Sequence, residues 1–251
     1  MPSDYHIHGL AHDGPPHTIN RLLPYVKEAK ISNLSEIGFA EHDRYLSAID
    51  FNVFYELEKL AGIPVRAGLE VDFYPGQRSY QEDILNKPWD YIIGSVHAIG
   101  KWEFDRPGEE KGFDDWDIDD LYKTYFEIVG QAAATGFFQV IGHLDLIKIY
   151  GHRPKKNVLE LVEPTLQIIA KSGVAMELNT AGLFKPVAEI YPEYQILERA
   201  FDLNIPVIIS SDAHIPLEVG RERKYAEEIL KGIGYTRLAK FYKQKMSTEP
   251  L

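Results

Sequence analysis

Seven short apolar runs alternate with longer amphipathic segments along this chain of 251 residues. The runs are five to seven residues long and rich in Ile, Val, Leu and Phe, which is typical of strands buried in a parallel sheet. The predicted strands are Asp4–His8, Glu36–Ala40, Val65–Val71, Tyr91–Val96, Gln139–His143, Ala175–Asn179 and Val207–Ser211. Seven such strand–helix units favour a closed or nearly closed parallel barrel. The alternative that the same alternation permits is an open doubly wound sheet.

The segments between the strands predict helices, and Gly and Pro mark most of the joins. The predicted helices are Ile19–Lys30, Asn52–Leu60, Ser79–Asn86, Asp117–Thr135, Lys156–Ser172, Glu193–Leu203 and Arg221–Lys231, followed by a last helix over Thr236–Lys245. Asp117 or Asp119 is the predicted cap of the longest one. The irregular stretch Gly100–Trp116 is predicted to be a long loop. Because no linker or repeat interrupts the pattern, residues 1–251 are predicted to form a single domain.

Charge and composition exclude several classes of function. The formal charge of −11, from 38 acidic and 27 basic residues, argues against nonspecific nucleic-acid binding, which requires a basic face. The chain has no cysteine, which excludes disulfides and thiolate metal sites. No apolar stretch approaches the ~20 residues that a membrane helix needs, and no secretion signal is visible. We therefore expect a cytoplasmic protein that binds neither nucleic acid nor membrane. Its oligomeric state is not predicted.

Histidines and carboxylates lie at the predicted carboxyl ends of the strands, where a βα barrel has its active site. In strand order these residues are His6 and His8, His42, Glu70, His97, His143, Asn179, and Asp212 with His214. Burying so many imidazoles and carboxylates without a cation is costly. Ligand sets of His and carboxylate without sulfur fit Zn²⁺, Mn²⁺ or Fe²⁺. The number of ligands predicts two or three ions that share Glu70, an arrangement typical of phosphoester hydrolysis.

Three further histidines lie in loops. His12 and His17 belong to the loop 9–18 after the first strand, and their position alone does not decide whether either binds metal. His152 follows the fifth strand by several residues and is predicted to face the substrate or support the ligands.

Segments spread over nearly the whole chain resemble the PHP (polymerase and histidinol phosphatase) family, and within it the stand-alone histidinol-phosphate phosphatases. They are Asp4–His8, Glu36–Asp43, Gly68–Asp72, Tyr91–His97, Ile141–Leu146, Asn179–Leu183 and Ser211–His214. The resemblance implies a distorted, TIM-like (β/α)7 barrel, in agreement with the strand–helix units found from the sequence pattern.

By the same resemblance, the chain would hold a trinuclear metal centre. One ion would be bound by His6, His8, Glu70 and Asp212, a second by Glu70, His97 and His143, and a third by His17, His42 and His214. Counting back from Lys27–Ala29 in the following helix favours His17 over His12 as the loop ligand. His12 and His152 are then left outside the ligand set.

The resemblance also implies an activity, which is hydrolysis of L-histidinol phosphate in histidine biosynthesis by a metal-bridging hydroxide. The predicted substrate-binding residues are Arg153, Lys185 and Asn179. A guanidinium such as that of Arg153 matches a phosphate bidentately, whereas Lys185 stands with Phe184 where the family has an arginine. The acid that protonates the leaving group is Asp43, Asp145 or His152, which the sequence does not rank. The acidic loop Glu103–Asp117 is a candidate to receive the cationic groups of histidinol.

Three other functions compete with this interpretation. They are a PHP phosphoesterase for another small ester such as a nucleotide or sugar phosphate, a polymerase-associated module, and an amidohydrolase-like metal barrel. The acidic charge and the lack of a polymerase region count against the second. His97 counts against the third, because amidohydrolase barrels usually place a carboxylated Lys or a Glu at a central strand.

Overall fold

A single parallel sheet, curved into a nearly closed barrel, forms the centre of the computed structural model, which describes residues 2–12, 14, 16–77 and 81–251. Its strands are β1 (Ser3–Ile7), β2 (Glu36–His42), β3 (Val65–Asp72), β4 (Tyr91–Ser95), β5 (Val140–Ile141), β6 (Ala175–Asn179) and β7 (Val207–Ser210). They are neighbours in chain order, and each consecutive pair is parallel. The predicted seven-stranded α/β barrel is therefore confirmed. The open doubly wound sheet is wrong, because its strand order would reverse at a switch point.

The first and last strands close the barrel through a short contact, which we call the seam. Ile7 and Ala213 form a single parallel bridge. The backbone N–H of His8 donates to the carbonyl of Ala213 at 2.8 Å, and the N–H of Ala213 donates to the carbonyl of His6 at 3.1 Å. The seam thus lies at the carboxyl end of the barrel, among residues predicted to bind metal.

Where the predicted helix ends lie among the described residues, the helices follow them to within two residues. They are α1 (Ile19–Ile31), α2 (Phe51–Ala61), α3 (Gln81–Leu85), α4 (Ile118–Ala134), α5 (Val158–Ser172), α6 (Tyr194–Asp202) and α7 (Arg223–Ile233). Ser79, the predicted start of the third helix, lies outside the described residues. Asp117 caps α4 by accepting hydrogen bonds from the N–H groups of Asp119 and Asp120. None of the helices in the described part of the chain is both long and apolar enough to cross a membrane.

The predicted last helix, Thr236–Lys245, is wrong. The chain forms an antiparallel hairpin there, with strands β8 (Arg237–Tyr242) and β9 (Lys245–Pro250). Lys243 and Gln244 join the strands with φ of 49° and 60°, the backbone of a two-residue hairpin turn of type I′. The residues of this segment are compatible with either structure, and packing against the barrel decides between them.

That packing involves an aromatic plug, formed by Tyr5, Tyr91 and Phe241, at the amino-terminal end of the barrel. The ring of Phe241 lies 6.2 Å from that of Tyr5 and 6.1 Å from that of Tyr91, between ring centres. Glycines give Tyr91 its space: a Cβ at Gly68 would lie 2.2 Å from its Cζ, and one at Gly38 would lie 2.2 Å from its hydroxyl oxygen. The plug fills this end of the barrel with aromatic rings, whereas the predicted metal-binding residues lie at the opposite end.

The predicted long loop Gly100–Trp116 is more ordered than expected. It contains a 3₁₀ turn at Glu110–Asp115, and the rings of Phe104 and Phe113 are buried. The Nε1–H of Trp102 donates to the carbonyl of Glu109 at 3.0 Å. Aromatic residues therefore anchor this acidic segment to the core.

Candidate metal centre

Eight side chains with metal-binding atoms meet at the carboxyl end of the barrel. They form three groups, which are His6, His8 and Asp212; Glu70, His97 and His143; and His8, His42 and His214, so that the first and third share His8. Within each group, one donor atom per residue lies within 4.8 Å of the others. The structure thus brings together eight of the nine residues predicted as ligands.

Strand register explains how distant residues come together here. His42 and Glu70 are direct partners across β2 and β3, and His42 Nδ1 lies 2.8 Å from Glu70 Oε2. The pairing of β1 is irregular between Asp4 and Ile7, so the strand does not alternate regularly between its faces. His6 and His8 nevertheless share the site as predicted, with their ring centres 4.9 Å apart.

Glu70 lies at the middle of the site, with five histidines around its carboxylate. Measured from the nearer oxygen, the distances are 2.8 Å to His42, 3.1 Å to His143, 3.4 Å to His6, and 3.6 Å to both His8 and His97. Burial by itself raises the pKa of Glu70, but the charges of His6, His97 and His42 outweigh it and hold that pKa well below its usual value. Glu70 is therefore an anionic oxygen donor close to several histidines that could bind metal.

The histidines differ in how firmly they hold a proton. Burial, reinforced by His42 and His214, lowers the pKa of His8 well below its usual value, so this ring is neutral and its lone pair is free to bind a cation. Burial also opposes protonation of His6, but the carboxylates around it outweigh that effect and raise its pKa well above the usual value. The pKa of His97 is raised in the same way, chiefly by Asp72. Cation binding to these two rings would release protons.

Two carboxylates, the buried Glu177 and the partly buried Asp72, orient the histidines, and the sequence interpretation missed both roles. Glu177 Oε1 lies 2.7 Å from His6 Nδ1, and Asp72 Oδ1 lies 2.6 Å from His97 Nδ1. Glu177 also accepts the backbone N–H of His143 at 2.7 Å and the hydroxyl of Ser210. Carboxylates in this position fix which nitrogen faces a metal. The signal in the sequence was a lone acid, Glu177, inside an otherwise buried strand.

The site has the properties that a divalent cation requires. The Nε2 atom of His6 is fully buried and has no hydrogen-bond partner among the described residues, and the same holds for Nδ1 of His143. Such unpartnered polar atoms are costly unless a ligand satisfies them. With imidazole and carboxylate as donors and no sulfur, the residues fit Zn²⁺, Mn²⁺ or Fe²⁺.

The structure does not bring His17 to the third group. Its Nε2 lies 2.9 Å from Glu41 Oε1, and its ring packs against Phe54 with a centre-to-centre distance of 4.9 Å. His12 lies beside that group instead, with its ring 4.7 Å from that of His214. The spacing to the following helix favoured His17. Spacing along the sequence does not reveal the path of the loop, and that path places His12 beside the group instead.

The model of the PHP domain family matches residues 4–181. The chain belongs to the PHP domain family. It is 41% identical to a probable histidinol-phosphatase of Deinococcus radiodurans over 179 residues, which cover 70% of this chain and 68% of the relative. It is 27% identical to a probable histidinol-phosphatase of Thermotoga maritima over 241 residues, 94% of each chain.

A solved structure shows the same fold. It is the histidinol phosphate phosphatase of Lactococcus lactis in complex with zinc, L-histidinol and phosphate, which superposes with a TM-score of 0.77 over 98% of each chain. Its sequence identity to this chain is 22%. This likeness confirms the PHP barrel expected from the sequence.

The three predicted acid candidates have different surroundings in this PHP barrel. Asp43 directly follows His42, and burial, together with the nearby Asp72 and Glu70, raises its pKa to about 7. Asp145 is buried and lies 2.8 Å from the Nζ of Lys148. The ring of His152 stacks on that of Phe113, with centres 4.3 Å apart and planes 10° apart. Asp43 is therefore the candidate that borders the metal-binding groups without a basic partner of its own in the described structure.

The predicted substrate-binding residues also differ. The guanidinium of Arg153 is paired with Glu189 Oε1 at 2.5 Å and with Glu193 Oε2 at 3.1 Å. Asn179 is fully buried, and its Nδ2 donates to Glu177 at 3.1 Å and to Asp212 at 3.4 Å, so it positions these carboxylates. Lys185 is exposed.

A further basic side chain, that of Arg221, was missed by the sequence interpretation and lies against Phe184. The guanidinium carbon of Arg221 lies 4.2 Å from the centre of the Phe184 ring, and its Nη1 lies 2.9 Å from Glu218 Oε1. Glu218 in turn accepts the backbone N–H of His214 at 2.9 Å. No residue pattern linked Arg221 to this position, because the contact depends on the fold of the loop after β7.

Proposed function

We propose that this protein is a single-domain, metal-dependent phosphatase that hydrolyses L-histidinol phosphate to L-histidinol and phosphate, as a step of histidine biosynthesis. The observation that carries the proposal is the three groups of metal-binding side chains, each with a histidine close to the carboxylate of Glu70. The similarity to histidinol-phosphatases in two bacteria supports the substrate. The Lactococcus lactis phosphatase, with zinc, L-histidinol and phosphate bound in the same fold, supports it further.

The proposed centre holds two or three divalent ions, which are Zn²⁺, Mn²⁺ or Fe²⁺. The first group is His6, His8 and Asp212, the second is His97 and His143, and both share Glu70. The third is His42 and His214 with His12 in place of His17, because His12 lies over this group and His17 is paired with Glu41. When bound, such ions activate water at neutral pH and neutralise charge on phosphoryl oxygens.

The protein residues position the reacting groups. Glu177 and Asp72 bind the Nδ1 atoms of His6 and His97, which leaves the Nε2 atoms directed at Glu70. Asp43 is the proposed proton donor to the leaving alkoxide, because it borders the site while Asp145 is paired with Lys148. The guanidinium of Arg153 has the geometry to bind phosphate bidentately, in competition with Glu189 and Glu193.

The proposed partner is a small phosphate ester. The net charge of −11 makes a large polyanion such as nucleic acid an unfavourable ligand. A small ester enters a local field that bound cations make positive. A nucleotide or sugar phosphate satisfies the same phosphate chemistry, so the alcohol part of the substrate must be tested directly.

The test is phosphate release from L-histidinol phosphate compared with a sugar phosphate, a nucleoside monophosphate and p-nitrophenyl phosphate. We expect kcat/KM on L-histidinol phosphate to exceed the others by at least about tenfold, because binding groups for the alcohol discriminate by this amount or more. Equal turnover of all four esters would contradict the substrate assignment. Metal analysis of the purified protein tests the centre separately, and fewer than two equivalents of metal after reconstitution would contradict a multinuclear site.

A further inference from the structure

Tyr191 carries a buried hydroxyl group without a partner. The residue is 1% exposed, and its hydroxyl oxygen has no hydrogen bond within the described part of the chain. A buried tyrosine hydroxyl normally finds a partner, because removing it from water without one costs free energy. The ring lies next to the second metal-binding group, 6.5 Å from the ring of His143 between centres and nearly perpendicular to it.

The position of Tyr191 is fixed without help from its hydroxyl. Its backbone pairs with that of Asn179 through two hydrogen bonds of 2.7 and 3.0 Å, which attach the residue to the end of β6. Gly182 leaves room for the ring, since a Cβ there would lie 2.8 Å from Tyr191 Cε2. The Nζ of Lys148 lies 5.5 Å from the ring centre. The hydroxyl is therefore held in place by packing and backbone pairing.

Charged groups of both signs surround this hydroxyl. Burial, followed by the charges of Asp145, Asp212 and Asp105, raises the pKa of Tyr191 far above its usual value, while Arg153 acts in the opposite direction. The hydroxyl therefore keeps its proton over the whole working pH range and is a hydrogen-bond donor. None of these carboxylates accepts a hydrogen bond from the hydroxyl in the described structure, so a bound ligand could bring the acceptor it lacks.

We propose that the Tyr191 hydroxyl donates a hydrogen bond to a phosphoryl oxygen of the substrate, beside His143. The inference rests on the proposed function, because it assigns a role in the same site. A phosphoryl oxygen provides the acceptor that the protein itself does not, and a neutral donor adds no charge to a site that already binds cations. Inorganic phosphate, the product, would accept the same hydrogen bond.

The test is Tyr191→Phe, which removes one oxygen atom and keeps the ring. We expect the KM for L-histidinol phosphate and the inhibition constant of inorganic phosphate to rise together by about tenfold, since a hydrogen bond to a charged group is lost. The change in kcat should stay within about twofold, because ground state and transition state lose the same contact. The metal content and Tm should not fall, because the hydroxyl has no partner within the folded protein.

Tyr235→Phe is the matched control. The hydroxyl of Tyr235 donates to the carbonyl of Ile205 at 3.3 Å, away from the metal-binding groups, so its loss should lower Tm and leave KM unchanged. If Tyr191→Phe keeps the wild-type KM and phosphate inhibition, or lowers Tm with no change in either constant, the proposal is overturned. If the wild type hydrolyses no ester at all, the proposed function fails. Calorimetric binding of inorganic phosphate to the wild type and Tyr191→Phe then still decides the role of Tyr191.

Discussion

The Nδ1 atom of His6 lies 2.7 Å from Oε1 of Glu177, and neither side chain is accessible to solvent. This contact decides the orientation of the imidazole, because it leaves Nε2 as the nitrogen directed at Glu70 and Asp212. The charge of His6 contributes in turn to a lowered pKa of Glu177, although burial alone would raise it. Metal affinity at the first group therefore depends on a residue that does not face the centre.

Replacing that carboxylate should weaken metal binding. We expect Glu177→Gln to lower the affinity of the centre for Zn²⁺ by about ten- to a hundredfold, the usual effect of removing a carboxylate that supports a ligating histidine. Competition with a chromophoric chelator measures the affinity. Glu163→Gln is the control, because Glu163 pairs with Arg199 at the surface on α5 and α6. Equal affinities in the two variants would contradict this role of Glu177.

The two loop histidines are distinguished by paired alanine variants. His12→Ala should lower metal content by up to one equivalent with little loss of stability, because the ring is stacked near His214 but belongs to a loop. His17→Ala should keep the metal content and lower the free energy of unfolding by about 1–3 kcal/mol, since it removes the histidine partner of the buried Glu41 and leaves only the backbone N–H of Leu10. Elemental analysis and urea unfolding make the comparison. The opposite pattern would restore His17 as the ligand.

Glu36, at the amino-terminal end of the barrel, should make a contribution to stability that is lost in acid. It accepts hydrogen bonds from Tyr5 at 2.6 Å and Arg66 at 2.9 Å, and lies 2.7 Å from the Nζ of Lys240 on β8. Burial alone would raise the pKa of Glu36, but these partners outweigh it and lower that pKa. The lowered pKa means that its contribution is fully present above the usual value of 4.5 and is lost as pH falls through the lowered pKa.

Glu36→Gln should therefore lower the free energy of unfolding by about 3–5 kcal/mol at pH 7, because two basic groups lose their buried partner. The difference from the wild type should shrink below the usual carboxyl pKa of about 4.5. Urea unfolding at a series of pH values measures it. A difference that stays constant down to pH 3 would show that lost packing, and not the charge, explains the effect.

The aromatic plug should matter for stability and not for activity. Phe241→Ala should cost about 3–5 kcal/mol, the range found when a buried phenylalanine is truncated. Its kcat and KM at a temperature where the variant is folded should match the wild type, because the plug and the metal-binding groups lie at opposite ends of the barrel. A changed KM with unchanged Tm would contradict this separation.

The strand–helix alternation predicted seven parallel strands and favoured a barrel, because buried parallel strands have a strong apolar signal, but it also permitted an open sheet. The carboxyl-end rule then located the histidines and acids without any knowledge of distances. The last hairpin was not predictable from local pattern. Its strands are stabilised by the contact of Phe241 with Tyr5 and Tyr91, which are far away in the sequence.

The sequence predicted the metal-binding residues that lie at the ends of strands. It did not predict the loop residue beside the site or the carboxylates that orient the histidines. His6, Glu70 and His143 lie at strand ends, and the structure brings them together. The position of His12 depends on the path of its loop, with Ala11 at a φ of 51°. The role of Glu177 depends on which residue across the barrel it faces, and a single sequence does not show that.

The seam between β1 and β7 has a consequence for the motions of the barrel. A single bridge joins the two strands, and His6 and His8 on one side face Asp212 on the other across it. An ion bound by His6, His8 and Asp212 would link the two strands at the carboxyl end of the barrel. Amide hydrogens of His8 and Ala213 should then exchange with deuterium more slowly when metal is present, since metal binding raises the free energy of local opening there. In this barrel, an ion that takes part in catalysis would therefore also strengthen the closure between β1 and β7.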